Sequence, residues 1–151
     1  MKSIFNNAVV TETLNRIDNL NTDSKALWGK MSVSTMLAHC NVPYELVYEE
    51  EKYPKPNAIM KFFLKAFVKD QVVNEKPYKK NSMTSPTFII KGQRDFHKEK
   101  IRLSDHIRKT QELGESYFDN KESHSFGILT KNEWNNMFYK HLDHHLKQFG
   151  V

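Results

Sequence analysis

The closing stretch, HSFGILTKNEWNNMFYKHLDHHLKQFG over residues 124 to 150, decides how the chain is read. Thr130 followed by Glu133 forms a capping box, in which each side chain satisfies a backbone donor of the first helical turn. A helix is therefore expected from there to Phe149, ended by Gly150. On a wheel of about 100° per residue, Trp134, Phe138, Leu142, Leu146 and Phe149 gather on one side. Asn136, Lys140, Asp143 and Lys147 take the opposite, wet face, and His144 sits at the border. His141 and His145 fall inside the apolar arc.

Two imidazoles on the core side of a helix are chemically expensive. Each buried ring needs partners for two nitrogens, and desolvation disfavours its protonated form. Residues four apart stand about 5–6 Å from each other on one helix face, so His141 and His145 can converge on one metal ion. The plainer alternative is a pair of core histidines hydrogen-bonded to neighbouring helices.

A third candidate ligand lies upstream. A helix is expected to start near Ser32 or Ser34 and run toward Glu51, where Pro54 and Pro56 stop it. Met36, Cys40, Pro43, Leu46 and Val47 share the side of His39, while Asn41, Glu45 and Glu49 form the opposite, wet face. His39 therefore turns toward the core, with a kink expected at Pro43 one turn later. Three inward histidines from two helices leave coordination positions for water or substrate, as catalytic metal sites do. Cys40 does not aim at the same point as His39 and reads as core packing. His97 and His106 lie on a charge-rich helix and are expected at the surface. His124 precedes the capping box and, folded back over the helix ends, is a candidate pocket residue together with His144.

The rest of the chain reads as helix with one long connection. Val10, Leu14 and Ile17 mark a first helix, residues 58 to 69 a short one, and Arg94 to Leu113 another, with Gly114 at its C′ position. Residues 70 to 92 read as a partly extended connection with a short β segment at Thr87 to Ile90. The expected fold is all-α, an antiparallel four-helix bundle with an extra short helix and a long connection between its second and third helices, forming one domain over residues 1–151.

With 151 residues, 38% hydrophobic and 27% charged, the chain has enough apolar mass for one core and too little charge for wholesale disorder. Its single cysteine excludes an internal disulfide framework and a multi-cysteine zinc site. No run approaches the roughly 18 apolar residues of a membrane span, and no secretory signal is legible, so a cytoplasmic protein is expected. The net charge of +5 is concentrated between residues 52 and 80, which hold eight lysines against Asp70 and Glu75. That window has no arginine, the residue that reads phosphates and bases bidentately, so no nucleic-acid partner is expected.

The segment Trp28-Gly29-Lys30-Met31 leading into Met36-Leu37-Ala38-His39-Cys40 resembles the second-helix signature of the DinB-like, or YfiT-like, superfamily of metal-dependent proteins. The run over 124 to 150 is similar to the closing helix of one uncharacterised branch, a domain of unknown function. The resemblance implies a four-helix bundle holding a divalent metal through His39, His141 and His145, with His144 next to the ligands but not one of them. It implies one zinc, nickel, iron or manganese ion and, from characterised relatives, thiol-dependent transferases and isomerases using bacillithiol, mycothiol or glutathione.

Three readings follow. The first is a metal-dependent thiol S-transferase or hydrolase acting on a small molecule, in which a bound ion activates a water or thiol. The second is a non-catalytic metal-binding or structural bundle, forming a homodimer. The third is an anionic-surface binder using Lys61, Lys65 and Lys69 beside Phe62, Phe63, Phe67 and Val68. That stretch is apolar nearly all round, which suits burial against the bundle or a second copy better than membrane insertion.

Overall fold

Six α-helical segments and one hairpin make up the computed structural model, which describes residues 1–151. Helix α1 spans Asn7–Asp18 and starts at Asn6, whose side chain accepts from the backbone N–H groups of Ala8 and Val9. Helix α2 spans Val33–Tyr48, is capped by Ser32 and continues through Pro43. Helix α3 (Ala58–Phe63) passes through a π-helical turn at Leu64–Val68 into α4 (Lys69–Val73). Helix α5 runs over Phe96–Phe118, broken at Gly114, where φ is +73°. A side chain there would be strained, and the helix expected to end at this glycine instead resumes for one further turn. Helix α6 spans Lys131–Gln148 with the Thr130–Glu133 capping box in place. No helix is long and apolar enough to cross a membrane.

The expected all-α four-helix bundle is overturned by strands β1 (Lys121–Ser123) and β2 (Gly127–Leu129), which pair antiparallel before α6. Glu122 stands opposite Ile128, and both face outward, whereas Ser123 and Leu129 are buried. The Ser123 hydroxyl closes the turn by accepting from the Phe126 N–H and donating to the Gly127 carbonyl. Three residues per strand are too few for a legible period-2 alternation. The β segment expected at Thr87 to Ile90 is a 3-10 turn at Pro86–Phe88, with proline at a position that needs no N–H.

The core gathers Ile17, Met36, Leu37, Leu103, Ile107, Phe118, Trp134, Phe138 and Leu142 from α1, α2, α5 and α6. Tyr44 stacks on Phe138 with ring centroids 4.7 Å apart, and Phe138 meets Phe118 edge-on. Both faces expected to be wet are covered in part, while Lys147 at the end of α6 stays exposed as expected. On α6, Asn136 donates to the Val73 carbonyl, and the Lys140 ammonium donates to the carbonyls of Gln71 and Asn74 and to the Asn74 side chain. Burial lowers the Lys140 pKa to about 8. These bonds answer the carbonyls that α4 leaves open at its C-terminus.

On α2, Asn41 and Glu45 face α5 rather than solvent. Arg102 of α5 pairs with Glu45 and, at 2.8 Å, with Glu99, both of them buried carboxylates. His106, expected at the surface, is drawn into this layer. Its ring lies parallel to Tyr44, and its Nδ1 is 2.9 Å from the Asn41 side-chain oxygen. A carboxylate on the outer face of one helix becomes a core group once a second helix offers a guanidinium opposite it. Removing Arg102 strands two buried negative charges, so Arg102→Ala is expected to destabilise the fold by roughly 3 kcal/mol in urea denaturation. A loss below 0.5 kcal/mol, the usual range for surface substitutions, would refute this account of the network.

Candidate metal centre

Helices α2 and α6 meet on the side of the core away from Arg102, and there His39 comes against His141 and His145. The three ring centroids stand 4.6 to 4.8 Å apart. One nitrogen from each ring lies within 4.8 Å of the other two, so the group can hold a metal ion. The local reasons are those of the two helices. Ser32 starts α2 so that Met36, His39 and Cys40 turn inward, and the capping box sets the phase that puts His141 and His145 on the face carrying Phe138 and Leu142.

Partners around the rings determine which nitrogens are available. His39 Nδ1 lies 2.9 Å from the Phe88 carbonyl, and His145 Nδ1 lies 2.8 Å from the Gln148 side-chain oxygen. Both partners only accept, so both Nδ1 atoms carry the proton and both Nε2 atoms are bare lone pairs. His141 Nε2 faces His39 Nε2 at 2.9 Å, and His141 Nδ1 is buried with no partner. If His141 donates through Nε2, its Nδ1 lone pair is orphaned. If it carries the proton on Nδ1, two lone pairs confront each other. Neither tautomer satisfies every ring nitrogen, and a cation between the rings would accept the Nε2 lone pairs together and remove their confrontation, with the His141 proton then on Nδ1. Tetrahedral zinc–nitrogen bonds of 2.0–2.1 Å place ligand nitrogens about 3.3 Å apart, inside the spread seen here.

Electrostatics keeps the rings in the ligating form. Burial lowers the His39 pKa, holds that of His141 well below the usual range and pushes His145 down to about 3, with the neighbouring imidazoles adding to the effect on each of the last two. All three are therefore neutral at neutral pH. No carboxylate belongs to the cluster.

Two supports of this site have no signal in a helical wheel. The Pro86–Phe88 turn brings the Phe88 carbonyl to His39 and lays the Phe88 ring edge-on to His39 and His141, at 5.5 and 5.8 Å between centroids. Gln148 is buried and bridges two regions: its oxygen accepts from His145, and its amide nitrogen donates to the Trp28 carbonyl at 2.7 Å. Its own carbonyl accepts from the Leu27 N–H at 2.8 Å. Gly29 follows with φ of +81°, and a Cβ there would stand 2.6 Å from the Gln148 amide nitrogen. The Trp28-Gly29 pair thus fits its place because the glycine leaves room for Gln148.

The remaining candidates separate. His144 is half-buried beside the cluster, its ring 5.1 Å from that of His145 and edge-on to Trp28 and Tyr78. It lines a cleft of about 180 Å³ with Trp28, Tyr78 and Lys80. His124 is not brought to the cluster. It sits in the β1–β2 turn at the other end of α6, where its Nδ1 faces the Ser125 hydroxyl. His97 is exposed. Cys40 is buried with its sulfur 3.6 Å from that of Met36, and burial pushes its thiol pKa far up, which leaves it inert at neutral pH.

No curated protein and no solved structure matches the chain. The family described as Protein of unknown function (DUF1569) matches residues 5–150, almost end to end and across every element that carries the histidine cluster, and the chain belongs to that family.

Proposed function

We propose that the protein is a divalent-metal protein with His39, His141 and His145 as its ligands, acting on a small molecule as a metal-dependent thiol S-transferase or hydrolase. The observation that supports this most is the partnering around the rings: the Nδ1–H groups of His39 and His145 point outward to fixed acceptors, so their Nε2 lone pairs face the cluster, and no tautomer of His141 satisfies both of its own nitrogens. The placement of one histidine on α2 and two on α6 agrees with the ligand set that the DinB-like resemblance implies, and we place the chain near that superfamily on this ground.

A bound ion supplies Lewis acidity, which makes a water or a small thiol nucleophilic near neutral pH. The chain's own residues would bind and orient. The Phe88 carbonyl and the Gln148 oxygen hold the His39 and His145 rings in one tautomer, and the Phe88 ring limits the approach of water. His144, half-buried at the neighbouring cleft, is the imidazole that a substrate lodged between Trp28 and Tyr78 would meet, with the Lys80 and Lys140 ammonium groups over the same two rings. A second reading, non-catalytic metal binding, is favoured by the lack of a carboxylate in the cluster that could serve as a general base.

Elemental analysis of protein purified without a histidine tag tests the metal, with about one divalent ion per chain expected. Metal-loaded protein, assayed with several thiols and electrophiles, is expected to show turnover that is lost in His141→Ala and kept in Cys40→Ala. Turnover that follows Cys40 and ignores the metal would refute this mechanism.

Gln148 provides a finer check. Outer hydrogen bonds to ligand histidines typically contribute 10–100-fold to metal affinity, and Gln148→Ala is expected to weaken binding by about that factor. Gly29→Ala, whose Cβ crowds the same amide, is expected to act in the same direction. An unchanged affinity in both variants would remove Gln148 from the site.

A further inference from the structure

Helix α3 and the π turn after it contain no buried residue. Phe67 is 73% exposed, Ile59 72%, Phe62 67%, and Met60 and Phe63 52% each. The aromatic rings are already ordered among themselves, Phe62 on Phe63 and Phe63 on Phe67, with centroids 6.0 and 5.9 Å apart. Ile128, 64% exposed on β2, belongs to the same surface, because it stands opposite Glu122 and the Glu122 carboxylate takes the Lys61 ammonium at 2.6 Å. The burial expected for this stretch against the rest of the fold therefore does not occur. Contiguous apolar surface of this kind on a monomer marks an interaction site.

The charges around the ridge indicate what covers it. Lys61 pairs with Glu122, Lys69 with Glu133 and Lys55 with Glu50. The rim is thus largely neutralised within the chain, and of the lysines on α3 and the π turn only Lys65 lacks a carboxylate partner. Each lysine near an anionic membrane contributes about 1 kcal/mol, so one per ridge provides little attraction to lipid. An apolar centre with a charge-balanced rim is instead the anatomy of a protein–protein interface. The exposed parts of these side chains amount to on the order of 700 Å², near the roughly 800 Å² per partner of a standard interface.

We propose that this ridge is the homodimer interface of the protein, packing against the same ridge of a second copy about a two-fold axis. Ile59, Phe63 and Phe67 recur every four residues and form one stripe along the ridge, so two copies can cross at Phe63 with the stripes interdigitating. Ala66, exposed in the same π turn, is small enough to allow close approach. The interface is rigidly connected to the histidine-bearing helix, since α4 continues the ridge and its terminal carbonyls grip Lys140 and Asn136 on α6.

Sedimentation velocity of the full chain over a micromolar dilution series tests the proposal, and a dimer is expected with a Kd of about 1 μM or tighter. Phe63→Glu combined with Phe67→Glu is expected to raise the Kd at least 100-fold, as loss of two central aromatic anchors does. Both side chains are exposed, so an unchanged circular dichroism spectrum and thermal midpoint are expected of the double variant. A wild-type monomer at 100 μM overturns the proposal, as does a dimer that survives the double substitution. Wild-type protein that stays monomeric yet sediments with phosphatidylserine-containing vesicles, through Phe63 and Phe67, assigns the ridge to a lipid surface instead. None of these outcomes depends on whether the histidines bind metal.

Discussion

His39→Ala and His145→Ala are each expected to reduce the metal content from about one ion per chain to less than about a tenth of that, because three protein ligands are the minimum of an open site and each variant leaves two. The fold is expected to survive. Each substitution removes a neutral imidazole and strands no charge, and Gln148 keeps its bond to the Trp28 carbonyl when His145 is lost. His97→Ala is the control, since His97 is exposed on α5. Elemental analysis and a competitive chelator titration measure the loss. Full occupancy in a His39→Ala, His145→Ala double variant would show that the metal, if present, sits elsewhere.

The second large effect is acid sensitivity. His39, His141 and His145 are held below the ordinary histidine pKa in the folded protein, chiefly by burial, and His145 falls to about 3. The unfolded chain accepts protons on these rings below about pH 6.5, whereas the folded chain resists them. Their contribution to stability is therefore fully present above pH 6.5 and declines as the pH falls toward the folded values. For each such ring the slope reaches at most about 1.4 kcal/mol per pH unit. Below the folded pKa a ring contributes no further loss. Urea unfolding of metal-free protein between pH 8 and pH 4 measures the slope, and His145→Leu is expected to flatten it. Equal slopes in wild type and His145→Leu would mean that His145 is not buried in its neutral form.

The same depression has a second consequence for the metal. Protons compete with a metal for imidazole lone pairs, but here only at pH values below those of free histidine. Metal is expected to be retained somewhat below pH 6.5 and released as the protein approaches its acid transition. Release centred at or above pH 6.5 would indicate exposed, ordinary histidines as ligands.

The histidine phase could be read from residue order because it depends only on the local geometry of a helix. The Thr130–Glu133 box starts α6, and from there 3.6 residues per turn put His141 and His145 with Phe138 and Leu142. The same rule turned His39 inward on α2. Wheels failed where a second element supplied the partner. Lys140 and Asn136 looked solvated until α4 presented its open carbonyls, and Glu45, Asn41 and His106 looked peripheral until Arg102 and Tyr44 enclosed them. Polarity along a helix records which groups need a partner, and it does not record whether water or another helix provides one.

The hairpin and the supports of the site lie further from any local rule. Lys121–Ser123 and Gly127–Leu129 are too short for periodicity, and their pairing depends on the Ser123 hydroxyl and on Leu129 finding the core. The Phe88 contribution to His39 is a backbone carbonyl, which any residue offers, delivered across 49 positions of chain. Gln148 follows His145 by three residues, but its part in the site and the reason for Gly29 appear only when Gln148 reaches the Trp28 loop. Helix phase, capping and the three inward imidazoles were thus legible in residue order, since interactions within four residues set them. Which polar faces are dry, what orients the rings and that the 58–68 ridge stays uncovered depend on contacts between distant segments, where chain packing rather than local propensity determines the outcome.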